Sequence, residues 1–216
     1  MSELPLFYQI FAWSVPALFA ITLHEVGHGW VAMMLGDSTA KDMGRLSINP
    51  LKHVDPVGTV LVPLIMFLAS GFIFGWAKPV PINWNQLDNK KRDIALVALA
   101  GPFANFIMII FWALIAKFFI VAAEQGYAIA NILTLMAWAC IVINSLLMIL
   151  NLFPLPPLDG SRVVFSLLPE SIASQYAKIE PYGLIILVLL LVSGVLFRII
   201  EPLFFHLQQV MYFMII

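Results

Sequence analysis

Five apolar runs, at about 7–35, 57–75, 94–119, 129–153 and 183–200, take up most of this 216-residue sequence. An amphipathic stretch over about 201–216 follows them. A helix needs about 20 residues to cross a ~30 Å hydrocarbon core at about 1.5 Å per residue. The first run is long enough to cross with tilt, whereas 57–75, interrupted by Pro63 and three glycines, is marginal. With 62% hydrophobic and 11% charged residues, the chain lacks the polar side chains to cover a soluble globule. A cytosolic enzyme, a disordered chain and a disulfide-stapled secreted domain are thereby excluded. The expected fold is all-α: a polytopic membrane helical bundle of about four to six membrane segments, forming one domain over 1–216 with no soluble accessory domain.

Eleven basic against twelve acidic residues leave no electrostatic footprint for nucleic acid. Cys140 is the one cysteine, so no intrachain disulfide can form. The N-terminus, MSELPLFYQIF, has neither the basic flank nor the small-residue cleavage site of a signal peptide.

Three polar connections, 36–56, 76–93 and 154–182, separate the runs and carry most of the cations: Lys41, Arg45, Lys52, Lys78, Lys90, Lys91, Arg92, Arg162 and Lys178. The positive-inside rule puts all three on the cytoplasmic side and the N-terminus outside. A single crossing by 57–75 would send the charges of 76–93 to the wrong face. That run is therefore expected to enter and leave on one side, or to cross paired with 36–56.

Within the first run stands His24-Glu25-Val26-Gly27-His28. Histidines at i and i+4 project from one helix face and can grip a single divalent ion. Glu25, beside the first ligand, can serve as general base toward a water on that ion. Ionisable residues inside an apolar span are costly to bury and mark function. A catalytic zinc takes three protein ligands, and the remaining histidines, His53 and His206, sit in poor contexts. Asp159 is the best third ligand, because it follows a span directly in Asn151-Leu152-Phe153-Pro154-Leu155-Pro156-Pro157-Leu158-Asp159-Gly160. Three prolines end the helix there, and Asp159-Gly160 forms a turn that can aim a carboxylate inward. A glutamate as third ligand (Glu124, Glu170, Glu180 or Glu201) is the competing enzyme reading. A zinc transporter or metal sensor is the alternative from another class, although transporters string ionisable residues along a path and this chain gathers them at one depth.

HEVGH in an early span, Gly101-Pro102-Phe103-Ala104-Asn105 in a later one and NLFPLPPLDG ending another resemble the site-2 protease family of intramembrane zinc metalloproteases. The resemblance covers about residues 20–165, and it points to the small bacterial or archaeal type without PDZ or CBS domains. It implies one zinc per chain held by His24, His28 and Asp159, with Glu25 as catalytic base and Asn151 near the scissile backbone. It implies hydrolysis within or next to the transmembrane segments of other proteins, in a prokaryotic cell membrane. His24 lies about 16 Å along the helix from Leu35 and about 25 Å from Phe7, so the metal is expected nearer the cytoplasmic end.

Asn105, with Asn144, is expected either to line the substrate cavity or to pack between helices. Gly44-Arg45-Leu46-Ser47-Ile48-Asn49 alternates polar and apolar, so a short re-entrant β segment is expected there. Ser47 and Asn49 would then sit on an edge that pairs with an unwound substrate, the alternative being an interfacial loop. His53 is read as a surface histidine, and Trp76, Trp84 and the aromatics near 204–213 as interfacial anchors.

Overall fold

A computed structural model describes residues 5–70 and 75–215. Helix α1 (Leu6–Met34) is followed by the short α2 (Thr39–Asp42). The Asn49 side chain accepts from the Leu51 N–H to cap a turn over Pro50–Lys52. Asp55 accepts from the N–H groups of Val57 and Gly58 and opens a wide turn over Pro56–Leu61, which runs into α3 (Val62–Ser70). Non-helical chain from Gly75 then leads to Asn89, which caps α4 (Lys90–Glu124). Helices α5 (Ala128–Asn151), α6 (Asp159–Leu167), α7 (Glu170–Ala177), α8 (Glu180–Val192) and α9 (Val195–Ile215) follow.

Helices α1, α4 and α5 pack on one another and form the centre of the molecule. Small residues make the approach close: Ala20, Ala32, Ala113, Ala116, Ala137 and Ala139 are all fully or almost fully buried. The Asp88 N–H donates to the Leu35 carbonyl at 3.2 Å, so the end of α1 meets the start of α4 and the two run antiparallel. Everything between them leaves and returns at the same end of the pair. Helix α9 covers α4 and α5 through Met211 and Ile215 against Ile109 and Ile141, while Leu187, Leu196 and Ile200 close over Ile149 and Leu158.

Ile10–Met34, Lys90–Glu124 and Ile129–Asn151 are long and apolar enough to cross a membrane. The α7–α8 pair, bent by 63°, gives a fourth span if it is counted as one. The all-α polytopic expectation holds at three to four such segments among the described residues. The expected run 183–200 is broken at Ser193–Gly194, so its last residues belong to α9 together with the amphipathic tail. In the 57–75 run, α3 spans only nine residues, and residues 71–74 lie outside the described residues. The Trp76 N–H donates to the Gly58 carbonyl at 2.9 Å, which brings the end of the excursion back to its beginning. The chain thus comes back to its own starting point over this run.

No strand occurs among the described residues, which overturns the expected β segment at 44–49. Its backbone groups are used locally instead. The Ser47 N–H donates to the Arg45 carbonyl, the Asn49 N–H to the Ser47 hydroxyl, and the Ser47 carbonyl accepts from His53. His53 is buried, not on the surface: it is 2% exposed, and its Nε2 makes that 2.9 Å bond to Ser47.

Candidate metal centre

One turn of α1 separates His24 from His28, so both rings leave the same face, edge to face with centroids 4.7 Å apart. Each is 7% exposed, and a hydrogen-bond partner behind each ring fixes its proton. His28 Nδ1 lies 2.7 Å from the Val97 carbonyl, which can only accept, so the proton sits on Nδ1. His24 Nδ1 lies 2.6 Å from Asn105 Oδ1. That amide cannot be the other way round. Asn105 Nδ2 donates to the Ala20 carbonyl and to Asn144 Oδ1, and Asn144 Nδ2 donates in turn to the Cys140 carbonyl. A backbone carbonyl on α5 thus sets the polarity of a relay that ends by taking the His24 Nδ1 proton. In the neutral rings both Nε2 atoms are then lone pairs, and they lie 3.1 Å apart.

The third group arrives from the break after α5. Pro154, Pro156 and Pro157 cannot continue the helix, and the chain turns back so tightly that a Cβ on Gly160 would lie 2.2 Å from the Leu152 carbonyl oxygen. Tyr176 Oη steadies the turn by donating to the Pro154 carbonyl at 2.9 Å. Asp159, the first residue of α6, then points its Oδ2 at the histidines, 3.1 Å from His24 Nε2 and 3.3 Å from His28 Nε2. That oxygen is buried and has no hydrogen-bond partner. Two nitrogen lone pairs and one carboxylate oxygen facing one another repel unless something positive lies between them. A tetrahedral zinc with bonds of 2.0–2.2 Å would set its ligands about 3.3 Å apart, close to the three separations here. The donor set therefore fits zinc. Gly101 makes the room, since a Cβ there would fall 2.3 Å from His28 Nε2.

Glu25 opens from the same turn of α1 into a cavity of about 580 Å³ shared with His24, His28 and Asp159. Its Oε2 accepts from the Val80 N–H at 2.8 Å. Trp76, Val80 and Trp84 line the cavity from the 75–89 segment, and Asn151 and Arg162 from the far side. The two tryptophans are thus cavity walls, with the Arg162 guanidinium 5.3 Å from the Trp84 ring centre. A second groove, wholly apolar, runs between α1, α4 and α5.

The structure thus brings together His24, His28, Asp159, Glu25 and Asn151. It separates the rest. Asn105 is fully buried behind His24 and is absent from the cavity wall, so it faces a histidine and not a substrate. Ser47 and Asn49 are also absent from that wall and are engaged in the local bonds described above. Among the described residues, no glutamate joins the three-ligand cluster, and Glu180 instead pairs with Arg162 at 2.7 Å. Sequence reasoning missed Val80, Gly101 and Arg162. Pro79-Val80-Pro81, with one N–H in three residues, was the signal available for the first.

Residues 115–194 match the model of the family described as "Peptidase family M50". The chain is 36% identical over 184 residues to "Putative zinc metalloprotease YwhC" of Bacillus subtilis, which covers 83% of this chain and 79% of that protein. It is 28% identical over 186 residues to "Putative zinc metalloprotease Rip2" of Mycolicibacterium smegmatis and 24% over 183 residues to that of Mycobacterium tuberculosis strain H37Rv. Those two alignments cover 84% and 83% of this chain and 66% of each Rip2 protein. No solved structure matches the chain.

Proposed function

The chain belongs to peptidase family M50, the site-2 proteases, as a zinc-dependent membrane metalloprotease, and from that premise we propose that it cleaves transmembrane proteins within or beside their membrane segments. His24, His28 and Asp159 hold one zinc, and Glu25 is the general base. The observation that carries the assignment is the meeting of His24 Nε2, His28 Nε2 and Asp159 Oδ2, each within about 3.3 Å of the others. When bound, zinc supplies Lewis acidity, polarising a carbonyl and making water acidic near pH 7.

The chain's own residues do the remainder. Val97 and the Asn105–Asn144 relay hold the ring proton of each imidazole on Nδ1, which turns Nε2 toward the centre to coordinate. Glu25 takes a proton from the attacking water and later returns it to the leaving amine. A substrate helix in lipid has every peptide group bonded internally, so it must unwind before a carbonyl reaches the cavity. Asn151, on the cavity wall, is placed to meet the unwound backbone. The cationic connections surround the end of the bundle where α1 meets α4. By the positive-inside rule that end is cytoplasmic, and the protein resides in a prokaryotic cell membrane.

The test is a pair of variants in purified full-length protein, with bound zinc measured by mass spectrometry and cleavage followed on a transmembrane reporter. Glu25→Gln should keep its zinc and lose about 10²–10⁴-fold in kcat. Asp159→Asn should lose both zinc and activity. Full zinc in Asp159→Asn, or full cleavage by Glu25→Gln, would overturn the assignment.

A further inference from the structure

One peptide group joins the proposed base to a distant cation. The N–H of the Pro79–Val80 peptide donates to Glu25 Oε2 at 2.8 Å, and its carbonyl accepts from Arg45 Nη2 at 3.3 Å. Arg45 Nη2 also donates to the Lys78 carbonyl at 3.0 Å. The pattern Pro79-Val80-Pro81 suits this connection. Neither proline has an N–H, so the segment offers Glu25 one donor and no competitor. Pro81 holds Val80 extended, and the Val80 side chain, 5% exposed, is wedged against α1 beside Gly29, one turn on from Glu25. The segment is pinned on both flanks, since the Lys78 N–H donates to the His53 carbonyl and the Asn83 N–H to Asp37 Oδ2 at 2.7 Å. A guanidinium on the carbonyl end polarises the peptide and strengthens its N–H as a donor to a carboxylate.

We propose that Arg45 is a positioning residue for Glu25, acting through the Pro79–Val80 peptide group. The inference rests on the reading of Glu25 as general base. With Oε2 held by Val80, the other carboxylate oxygen is left for the attacking water. Without the tether the carboxylate samples several rotamers, and an ångström of misplacement costs up to about 100-fold in rate.

The decisive change is in the backbone. Replacing Val80 by α-hydroxyvaline turns the N–H into an ester oxygen and leaves every side chain in place. Full-length, zinc-loaded protein in lipid nanodiscs is assayed on a transmembrane peptide that the unmodified chain cleaves. The ester should lower kcat about 10–100-fold, with KM, zinc content and melting midpoint unchanged. Arg45→Ala should lower kcat about 10-fold with the same split, and Arg45→Lys should recover part of the loss. Combined, Arg45→Ala and the ester should be no worse than the ester alone, because both act through one bond. An ester protein with unaltered kcat, multiplicative losses, or a fall in zinc content or melting midpoint that matches the fall in kcat would each sink the proposal. Where Arg45→Ala does not fold, the ester and Arg45→Lys decide. Full cleavage by Glu25→Gln would refute the base assignment itself, whereas an inactive Glu25→Gln beside a fully active ester protein refutes only the tether.

Discussion

His24 and His28 stand on one turn of a 29-residue helix, each ring locked from behind by a buried partner. Asp159 arrives at the same point from a proline-broken turn, and its Oδ2 has no hydrogen-bond partner at all. The histidine side is a preformed wall within the α1–α4–α5 core. The aspartate side is held by contacts along its turn, and its carboxylate faces two lone pairs across the gap. The contrast separates two duties. Under the proposed ligand set, metal geometry is set by the rigid wall, and the turn that brings Asp159 is free to respond to what occupies the centre.

Filling the space in front of the wall should have the largest effect. In Gly101→Ala the new methyl lies 2.3 Å from His28 Nε2, and the neighbouring backbone belongs to α4, which cannot withdraw. Zinc affinity should fall by about 100-fold or more, with kcat lost in parallel, while helix content stays unchanged. Competition with a chromophoric chelator measures it, and near-normal affinity would mean that the wall yields.

Removing zinc from the intact protein should separate the two sides directly. Without a cation, Asp159 loses the ion that its carboxylate would ligate, whereas Val97 and Asn105 still hold the rings from behind. Amide exchange should rise about 10-fold over residues 155–161 and stay constant over 20–32. Equal loosening of both stretches would erase the distinction between wall and turn.

Breaking the support behind the wall comes next. Asn105→Ala strands the His24 Nδ1 proton and frees the ring to turn, so zinc affinity should drop about 10–100-fold. Asn144→Ala acts one bond farther back and should cost less than 10-fold. The order of the two, read by the same chelator titration, is the informative quantity. An Asn144 effect larger than that of Asn105 would contradict the direction of the relay.

The same contrast explains how much could be read from the sequence. The wall was legible because HEVGH at i, i+4 spacing in an apolar run points to both candidate ligands and their shared face. NLFPLPPLDG alone reads as a proline-rich exit loop with a solvated Asp, and it pointed to Asp159 only because HEVGH lacks a third ligand. The apolar runs gave α1, α4 and α5 to within a few residues, but hydropathy does not register a break such as Ser193–Gly194 inside a uniformly apolar run. What stayed hidden depended on contacts between distant segments. Alternation at 44–49 looked like a strand, but a strand needs a partner, and Arg45 and His53 draw that segment's groups into other bonds. His53 is polar in sequence and buried in space because it ties residue 47 to the segment at 78. Asn105 could be read either as a cavity residue or as a helix-packing one, because nothing local reveals that its acceptor faces a histidine 81 positions away.

The smallest effect belongs to the turn itself. Tyr176→Phe removes only the bond from Oη to the Pro154 carbonyl, at a partly exposed site, so the stability cost should be about 1 kcal/mol or less. Zinc affinity should move by a few-fold at most, because Asp159 is delivered by the prolines and by the fit of Gly160 beneath Leu152, and neither of these changes. The amide exchange of residues 153–158 should nevertheless rise in the zinc-free protein and return to normal on zinc loading, since the bound ion would substitute for the lost anchor. If Tyr176→Phe lowers zinc affinity as far as Asn105→Ala does, the turn is as tightly constrained as the wall, and the centre is uniformly rigid.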